Sequence, residues 1–267
     1  MLDKEIQSIF NKEPAGNPGK ELLMQLISFL DLTSLEGIDN EGSIQRLCSK
    51  ALEIGEKGRI FPAAVCVYSP FVRKAKQYLS GTGVRVATVT GFFPSAQAPL
   101  FLKLEEVKFA VGEGADELDM VISRGKMLEG EEAFVYDEIA AVRELASGIH
   151  LKVILETGEL KSSGIIRKAS EIALSAGADF IKTSTGKSIP AATEEAAYVM
   201  LKVIREHFIN TGEKRGFKPA GGISDPLQAM RYYILVNQIA GPEWLTRDLF
   251  RIGASRLADN LVKELLS

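Results

Sequence analysis

Short apolar runs alternate with longer amphipathic segments along most of this chain. Eight apolar runs predict β-strands, at residues 27–33, 62–68, 84–90, 117–122, 151–157, 179–184, 216–221 and 249–254. The amphipathic segments that follow them predict helices near residues 42–57, 71–79, 98–113, 131–147, 162–176, 193–209, 225–240 and 256–266. The pattern therefore predicts eight strand–helix units in succession.

Repeated strand–helix units favour a parallel sheet whose helices lie on its outer side. Eight units without a Pro/Gly/Ser-rich linker predict one α/β domain, a single (β/α)8 TIM barrel. A doubly wound open sheet is the alternative, but its glycine fingerprint is missing: Gly112 and Gly114 end a predicted helix and no third glycine follows. We expect residues 1–25 to form a short N-terminal helical extension, interrupted at Pro14 to Gly19, and residues 26–267 to form the barrel.

Composition and charge exclude several classes of protein. Hydrophobic residues make up 46% of the 267 residues and charged residues 25%, as in a globular domain with a sizeable core. The formal net charge of -3, without blocks of like charge, gives no reason to expect a nucleic acid or an anionic membrane as partner. No signal peptide, membrane span or disulfide framework is visible, which predicts a cytoplasmic protein.

Polar residues inside the predicted strands share a phase. Side chains alternate between the two faces of a strand, and the outer face of a barrel must be apolar to pack on helices. The polar positions are therefore expected to point inward, and they are Asp31, Cys66, Asp119, Lys152, Glu156, Lys182 and Lys218. An ion-pair network that only stabilises the barrel is the alternative, but buried ion pairs stabilise poorly compared with packed apolar side chains.

Two lysines and a carboxylate in one barrel favour Schiff-base chemistry. Lys182 and Lys218 lie in the same phase on adjacent predicted strands, so the charge of one would lower the pKa of the other. A neutral lysine condenses with an aldehyde to give an iminium, and Asp119 could move the protons. The two histidines, His150 and His207, lie in unrelated contexts and argue against a metal-dependent aldolase.

Three loops at the same end of the predicted barrel could bind an anion. They contain Gly186 and Lys187 after strand six, Gly221 and Gly222 after strand seven, and Gly253 to Arg256 after strand eight. Backbone N–H groups at helix starts bind phosphate, and barrels of this type often use the loops after strands seven and eight. The residues around Lys187 do not form a P-loop, because Ile181 stands where the first glycine would be.

Three motifs together carry a resemblance to a known family. They are ILETGEL at residues 154–160, GADFIKTSTGK at 177–187 and GFKPAGG at 216–222. With further matching segments from residue 29 to residue 266, the chain resembles the deoxyribose-phosphate aldolase family. That resemblance implies a class I (Schiff-base) aldolase, a lyase, which reversibly cleaves 2-deoxy-D-ribose 5-phosphate to acetaldehyde and D-glyceraldehyde 3-phosphate. It also implies no metal or organic cofactor, and a cytoplasmic homodimer in deoxyribonucleoside catabolism.

The resemblance also implies roles for particular residues. Lys182 would be the Schiff-base lysine, Lys218 the group that perturbs it, and Asp119 the acid/base that transfers protons. The substrate pocket would be lined by Asp31, Cys66, Lys152 and Thr185. The phosphate would be held by Gly186, Lys187, Gly221, Gly222, Gly253 and Ser255.

The phosphate loops depart from the family pattern at two places. Ser224 and Asp225 stand where many members have a cation, and Arg256 stands where many have a second serine. We expect Arg256 to replace part of the missing positive charge. Two other functions stay open from the sequence: a Schiff-base barrel aldolase for a different phosphorylated sugar, and a non-catalytic sugar-phosphate-binding relative.

Overall fold

A computed structural model describes residues 2–12, 16–58 and 60–267. Its centre is an eight-stranded parallel sheet. The strands β1 to β8 span Leu30–Thr33, Ala64–Val67, Arg85–Thr90, Glu117–Val121, His150–Ile154, Phe180–Lys182, Gly216–Lys218 and Ile252–Ala254. Consecutive strands pair from β1 to β7, and β8 pairs with β1. Two single bridges, Phe217 to Phe250 and Ala220 to Gly253, connect β7 to β8, so the barrel is nearly closed.

Helices surround the sheet and follow its strands. The helices α1 to α12 span Leu2–Phe10, Lys20–Ser28, Glu41–Gly58, Val72–Tyr78, Leu100–Gly112, Arg124–Leu128, Glu132–Leu145, Thr157–Leu160, Ser163–Ser175, Glu194–Thr211, Pro226–Leu235 and Leu257–Leu266. The predicted (β/α)8 barrel with a short N-terminal helical extension is confirmed. Helix α2 crosses the predicted boundary between residues 25 and 26, and the division into two segments stays a prediction.

The N-terminal extension lies on the outside of the barrel. Glu5 on α1 accepts a hydrogen bond from Tyr198 on α10, and the guanidinium of Arg231 on α11 stacks 3.7 Å from the ring centroid of Phe10. Pro14 and Ala15, part of the predicted interruption, lie outside the described residues. In the part of the chain that the structure describes, no helix is long and apolar enough to cross a membrane.

The two faces of each strand divide as the alternation predicts. Val65, Leu118, Val153 and Ile181 point outward into the main hydrophobic core between sheet and helices. Burying each such side chain contributes about 1.5–3 kcal/mol. The opposite face carries the charged side chains, which lie inside the barrel and are buried by it. A barrel interior normally holds layers of branched apolar side chains, so this composition is the first structural sign of a functional interior.

Several predicted boundaries were wrong. Strand β1 begins at Leu30 rather than at residue 27, because the apolar residues before it belong to the end of α2. Strand β5 ends at Ile154 because Glu156 adopts left-handed backbone angles, with φ of 56°, and the short helix α8 follows. Helices α6 and α8 were not predicted, since one turn of helix is too short to show a periodic pattern. The predicted helix 225–240 changes to a π-helical turn at Val236.

Candidate active site

Three buried ionic side chains form the lower part of the barrel interior. Arg251, just before β8, donates to Asp31 on β1 over 2.6 Å and to Glu117 on β4 over 2.6 Å. All three side chains are fully buried. Because a buried charge is costly unless it is paired, this arrangement fixes one carboxylate from each of two strands. Asp31 lies within the barrel as predicted, held from below by an arginine.

Asp119 on β4 is the centre of the next group and receives three lysines. Its Oδ1 accepts from Lys152 over 2.8 Å, and its Oδ2 accepts from Lys182 and from Lys218 over 2.6 Å each. Lys152 also lies 2.6 Å from Glu117, and Lys218 also donates to Asp31. The strand register places Lys152 beside Asp119 and Lys218 beside Lys182, so the period of two brings these side chains together.

The three lysines differ in pKa although they share one carboxylate. Burial lowers the pKa of Lys182, the charge of Lys218 lowers it further, and Asp119 opposes both effects only in part. Burial acts in the same direction on Lys218 and Lys152, but each has a second carboxylate partner, and the pKa of both is raised. Lys182 is therefore the lysine of this group whose neutral form is most accessible.

Asp119 stays ionised in this environment. Burial alone would raise the pKa of its carboxyl group, but Lys152, Lys182 and Lys218 outweigh burial and hold the pKa well below its usual range. The carboxylate is therefore the common hydrogen-bond acceptor for the three lysines. Such an ionised acceptor in contact with a nucleophilic amine is the arrangement that general base catalysis needs.

Cys66 lies inside the barrel as predicted, and its thiol is a poor nucleophile. Its side chain is fully buried on β2 and packs with Ala87 and Val89. Burial raises the pKa of the Cys66 thiol to about 11, with Asp119 adding to the effect. Because the thiolate is the nucleophilic form, Cys66 is part of the wall of the interior rather than a nucleophile.

Glu156 was predicted to point into the barrel beside Lys152, and this was wrong. Its left-handed backbone ends β5 and turns the side chain toward the loop after β6. There the buried carboxylate accepts hydrogen bonds from the hydroxyl and the backbone N–H of Thr185. Arg124 approaches the same carboxylate to 3.8 Å. Glu156 therefore fixes a loop next to the lysines and takes no part in the interior ion pairs.

An open cavity lies above Lys182 at the carboxyl ends of the strands. Its volume is about 310 Å³, and Lys182 lines its floor. Each residue that the sequence assigned to phosphate lines it, namely Gly186, Lys187, Gly221, Gly222, Gly253 and Ser255. Thr185 lines the cavity too, as do the two departures from the family pattern, Ser224 and Arg256. Lys152 and Asp31 lie below the cavity, in the packed interior.

The loops after β6 and β7 approach each other closely at this cavity. A Cβ added to Gly221 would lie 2.7 Å from the Cβ of Ala191 and 2.8 Å from the Cα of Gly186. Gly221 also has φ of +85°, where a side chain is strained. Glycine is therefore required at position 221, where the two loops that line the cavity come into contact.

Arg251 and Glu117 complete the interior, and neither was among the predicted site residues. Glu117 is in phase with Asp119 on β4, and Arg251 is in phase with Gly253, so the same alternation could have found both. Within the described residues, no group of three His, Cys, Asp or Glu side chains is arranged to hold a metal ion.

The comparisons with known proteins agree with this geometry. A family model described as DeoC/LacD family aldolase matches residues 27–231. The chain belongs to this family. Deoxyribose-phosphate aldolases of Mus musculus and Homo sapiens are each 44% identical to it over 256 residues, which cover 91% of this chain and 80% of the relative. The deoxyribose-phosphate aldolase of Agrobacterium fabrum is 43% identical over 92% of both chains.

Solved structures of aldolases share the fold of this DeoC/LacD family member. The structure of QR15, an aldolase, superposes with a TM-score of 0.73 at 28% identity, over 90% of this chain and 96% of that chain. The structure of deoxyribose phosphate aldolase from Aeropyrum pernix has a TM-score of 0.74 and covers 98% of this chain and 97% of that chain. Its identity of 24% supports the fold alone.

Proposed function

We propose that this protein is a class I aldolase that reversibly cleaves 2-deoxy-D-ribose 5-phosphate to acetaldehyde and D-glyceraldehyde 3-phosphate. The observation that carries the proposal is the position of Lys182. Its amine lies between the ionised Asp119 and an open cavity, and its pKa is lowered by burial and by Lys218. A binding protein has no use for an amine held in this way, because a neutral lysine gains reactivity and loses its charge.

The first half of the reaction uses Lys182 as nucleophile. Its neutral amine attacks the aldehyde carbon C1 of the open-chain sugar, and loss of water gives an iminium. The C3 hydroxyl then loses its proton toward Asp119, and the C2–C3 bond breaks. Its electron pair moves into the iminium, which becomes an enamine, and C3 leaves as the aldehyde of glyceraldehyde 3-phosphate. Asp119 holds this proton until the next step, because Lys152 and Lys218 are already protonated and cannot accept it.

The second half of the reaction returns the enzyme to its starting state. The enamine takes at C2 the proton that Asp119 received from the C3 hydroxyl and becomes the iminium of acetaldehyde. Water then hydrolyses this iminium to acetaldehyde and the free Lys182 amine. Lys218 stays charged through the cycle because Asp31 and Asp119 raise its pKa. Its fixed positive charge therefore disfavours a second positive charge on Lys182 and keeps the amine available.

The phosphate of the substrate binds at the mouth of the cavity. Lys187 and Arg256 supply positive charge, and Gly186, Gly221 and Gly222, which line the same cavity, supply backbone N–H groups. Thr185, which lines the same cavity, borders the rest of the sugar. Binding the remote phosphate places C1 over Lys182, and this fixed orientation is a large part of the rate gain that an aldolase needs.

Trapping with borohydride tests the assignment of the nucleophile. Reduction in the presence of acetaldehyde should leave an ethyl group on one lysine, and peptide mass mapping should place it on Lys182. The matched control is Lys182→Met, which keeps Lys152 and Lys218 in place beside Asp119. An adduct on Lys218 or Lys152, or an adduct that persists in Lys182→Met, would refute the role of Lys182.

Assays with several phosphosugars test the substrate. We expect cleavage of 2-deoxyribose 5-phosphate with release of acetaldehyde, detected with alcohol dehydrogenase and NADH. Faster cleavage of another phosphorylated sugar would support the alternative aldolase. Tight binding of 2-deoxyribose 5-phosphate without turnover would support the non-catalytic relative.

We further propose that the protein acts in deoxyribonucleoside catabolism, in the cytoplasm and as a homodimer. The support for all three properties is the resemblance that the three motifs carry. The names of the relatives at 43–44% identity add support for a deoxyribose phosphate as the substrate. Sedimentation equilibrium tests the oligomer directly, because a dimer has twice the 29.1 kDa mass of the chain. A single species at the chain mass would refute the homodimer.

A further inference from the structure

One ion pair joins two loops across the mouth of the cavity. Glu36 lies in the loop between β1 and α3, and Lys187 lies in the loop between β6 and α10. The Nζ of Lys187 is 2.9 Å from Oε1 of Glu36, and both residues line the cavity. The cation that the phosphate needs is therefore paired with a carboxylate of this chain.

Internal hydrogen bonds hold both loops. The ion pair between Glu36 and Lys187 therefore joins two loops whose backbones are fixed. The carboxylate of Asp39 accepts from the hydroxyl of Ser34 and from the backbone N–H of Glu36 over 2.9 Å each, which fixes the first loop. In the second loop, the backbone N–H of Lys187 donates over 3.1 Å to the hydroxyl of Thr185. The structure therefore directs Glu36 toward Lys187.

A ligand can replace Glu36 as the partner of Lys187, because both side chains are exposed to water. The side chain of Glu36 is 65% exposed and that of Lys187 is 33% exposed. Ion pairs at this exposure contribute little free energy, so a dianionic ligand with several acceptor oxygens can displace the carboxylate. After displacement, the negative charge of Glu36 stays close to the ligand, since its backbone is fixed by Asp39.

We propose that Glu36 is a specificity-determining residue that competes with the substrate phosphate for Lys187. This inference rests on the proposed function, because it assigns the cavity mouth to a phosphate. Glu36 weakens the binding of a dianionic phosphate by occupying its cation and by repelling it. A substrate without phosphate does not need Lys187 and is not repelled by Glu36. Glu36 therefore reduces the advantage of phosphorylated over unphosphorylated sugars.

The substitution Glu36→Gln tests the proposal with two substrates. Glutamine keeps the size and removes the charge, and we expect KM for 2-deoxyribose 5-phosphate to fall by roughly two- to fivefold. The expected effect is confined to that KM, so kcat/KM for 2-deoxyribose should not change. The matched control is Glu41→Gln, on α3, which removes the same charge from an exposed pair with Lys74 at 2.8 Å. KM should not change in that control.

Three results would overturn the inference. One is an unchanged KM for the phosphorylated sugar in Glu36→Gln. Another is an equal change for both sugars, and the third is a rise in KM, which would mean that Glu36 positions Lys187 for the phosphate. Calorimetry with inorganic phosphate adds a readout that needs no turnover: affinity should rise in Glu36→Gln by the same factor. If the wild type cleaves no 2-deoxyribose 5-phosphate, the proposed function fails, whereas the calorimetry still decides whether Glu36 opposes phosphate.

Discussion

The ammonium groups of Lys182 and Lys218 both lie 2.6 Å from the same carboxylate oxygen of Asp119. Two cations on one oxygen repel each other, and the repulsion is relieved most easily at the lysine with fewer other partners. Lys218 has a second carboxylate, Asp31, and its pKa is raised. Lys182 has no second carboxylate among the described residues, and its pKa is lowered. The difference in pKa between Lys182 and Lys218 therefore arises from Asp31.

Removing the charge of Lys218 should raise the pKa of Lys182. In Lys218→Leu, burial still favours neutral Lys182, but the repulsion is gone and Asp119 attracts the ammonium form more strongly. We expect the acidic limb of the pH–rate profile to move to higher pH by roughly one to two units, from the Coulomb energy of nearby charges. Rates measured from pH 5 to pH 10 check this shift.

A buried lysine outside the site provides the control for Lys218→Leu. Lys103 on α5 is fully buried and pairs with Glu138 over 2.6 Å. Lys103→Leu removes the same charge and is expected to lower stability without moving the pH–rate profile. An unmoved profile in Lys218→Leu would show that Lys218 does not tune Lys182.

The alternation of apolar and polar residues was enough to predict the barrel and the cluster around Asp119. Side chains two apart on a parallel strand share a face, so Asp119, Lys182 and Lys218 had to meet once the strands paired in order. The same rule failed at Glu156, because it assumes extended backbone and Glu156 is left-handed. A search for alternation with a period of two cannot detect a left-handed residue at position 156.

Contacts made by long side chains between loops could not be predicted. Glu36 and Lys187 are 151 positions apart in the chain, and neither lies in a strand. Their meeting depends on how Asp39 folds one loop and how Thr185 and Glu156 fold the other. Arg251 is different, since its place in an apolar run next to β8 was a visible signal of an interior charge.

Arg251 should carry a large part of the stability of the barrel interior. Arg251→Met removes one cation from each of two fully buried carboxylates, so that Asp31 keeps its lysines and Glu117 keeps Lys152 and Arg85. Breaking a buried pair in this way costs about 3–5 kcal/mol. The control is Arg85→Met, because Arg85 pairs with the same Glu117 but is 33% exposed, and its loss should cost less than about 1 kcal/mol. Urea unfolding of both variants measures the difference, and equal losses would contradict the role of Arg251.

Stability should fall in two steps as the pH is lowered. Burial lowers the pKa of His150, so the unfolded chain binds a proton there first and stability declines below about pH 6.5. Lysines and Arg251 hold the pKa of Asp31, Glu117 and Asp119 below their ordinary values. Their contribution is complete above about pH 4.5 and is lost as the pH falls through the folded pKa values.

Free energies of unfolding at pH 7, 5 and 3 separate the two steps. His150→Gln should remove the decline between pH 7 and pH 5 and leave the steeper loss below pH 4. A variant that still declines between pH 7 and pH 5 to the same extent would exclude His150 as the source. Stability that stays constant down to pH 3 would contradict the lowered pKa values of the interior carboxylates.

Glu156 should act on substrate affinity through the loop that it holds. Glu156→Ala removes the acceptor for the hydroxyl and N–H of Thr185, so the turn that carries Lys187 loses an anchor. We expect KM for 2-deoxyribose 5-phosphate to rise by about tenfold, from loss of a charged hydrogen bond. Borohydride trapping with acetaldehyde should persist, because Lys182 and Asp119 are untouched.

Glu159→Ala is the control for this loop. Glu159 pairs with Arg124 over 2.6 Å, whereas the side-chain acceptor of Thr185 is Glu156, so loss of Glu159 should leave KM unchanged. A rise in KM of equal size in both variants would mean that Arg124, rather than the bonds to Thr185, holds the loop. Loss of trapping in Glu156→Ala would place its effect on Lys182 instead of the phosphate.

Arg256 should replace part of the positive charge that Ser224 does not supply. Both residues line the cavity, and Arg256 directly precedes α12, where the helix dipole also favours an anion. Arg256→Met is expected to raise KM for 2-deoxyribose 5-phosphate by roughly five- to tenfold, because hydrogen bonds between charged groups are worth about 1.5–3 kcal/mol before exposure weakens them. Lys263→Met, on the same helix, removes an equal charge away from the cavity. If the two variants raise KM equally, or if Arg256→Met affects 2-deoxyribose as strongly, Arg256 does not bind the phosphate.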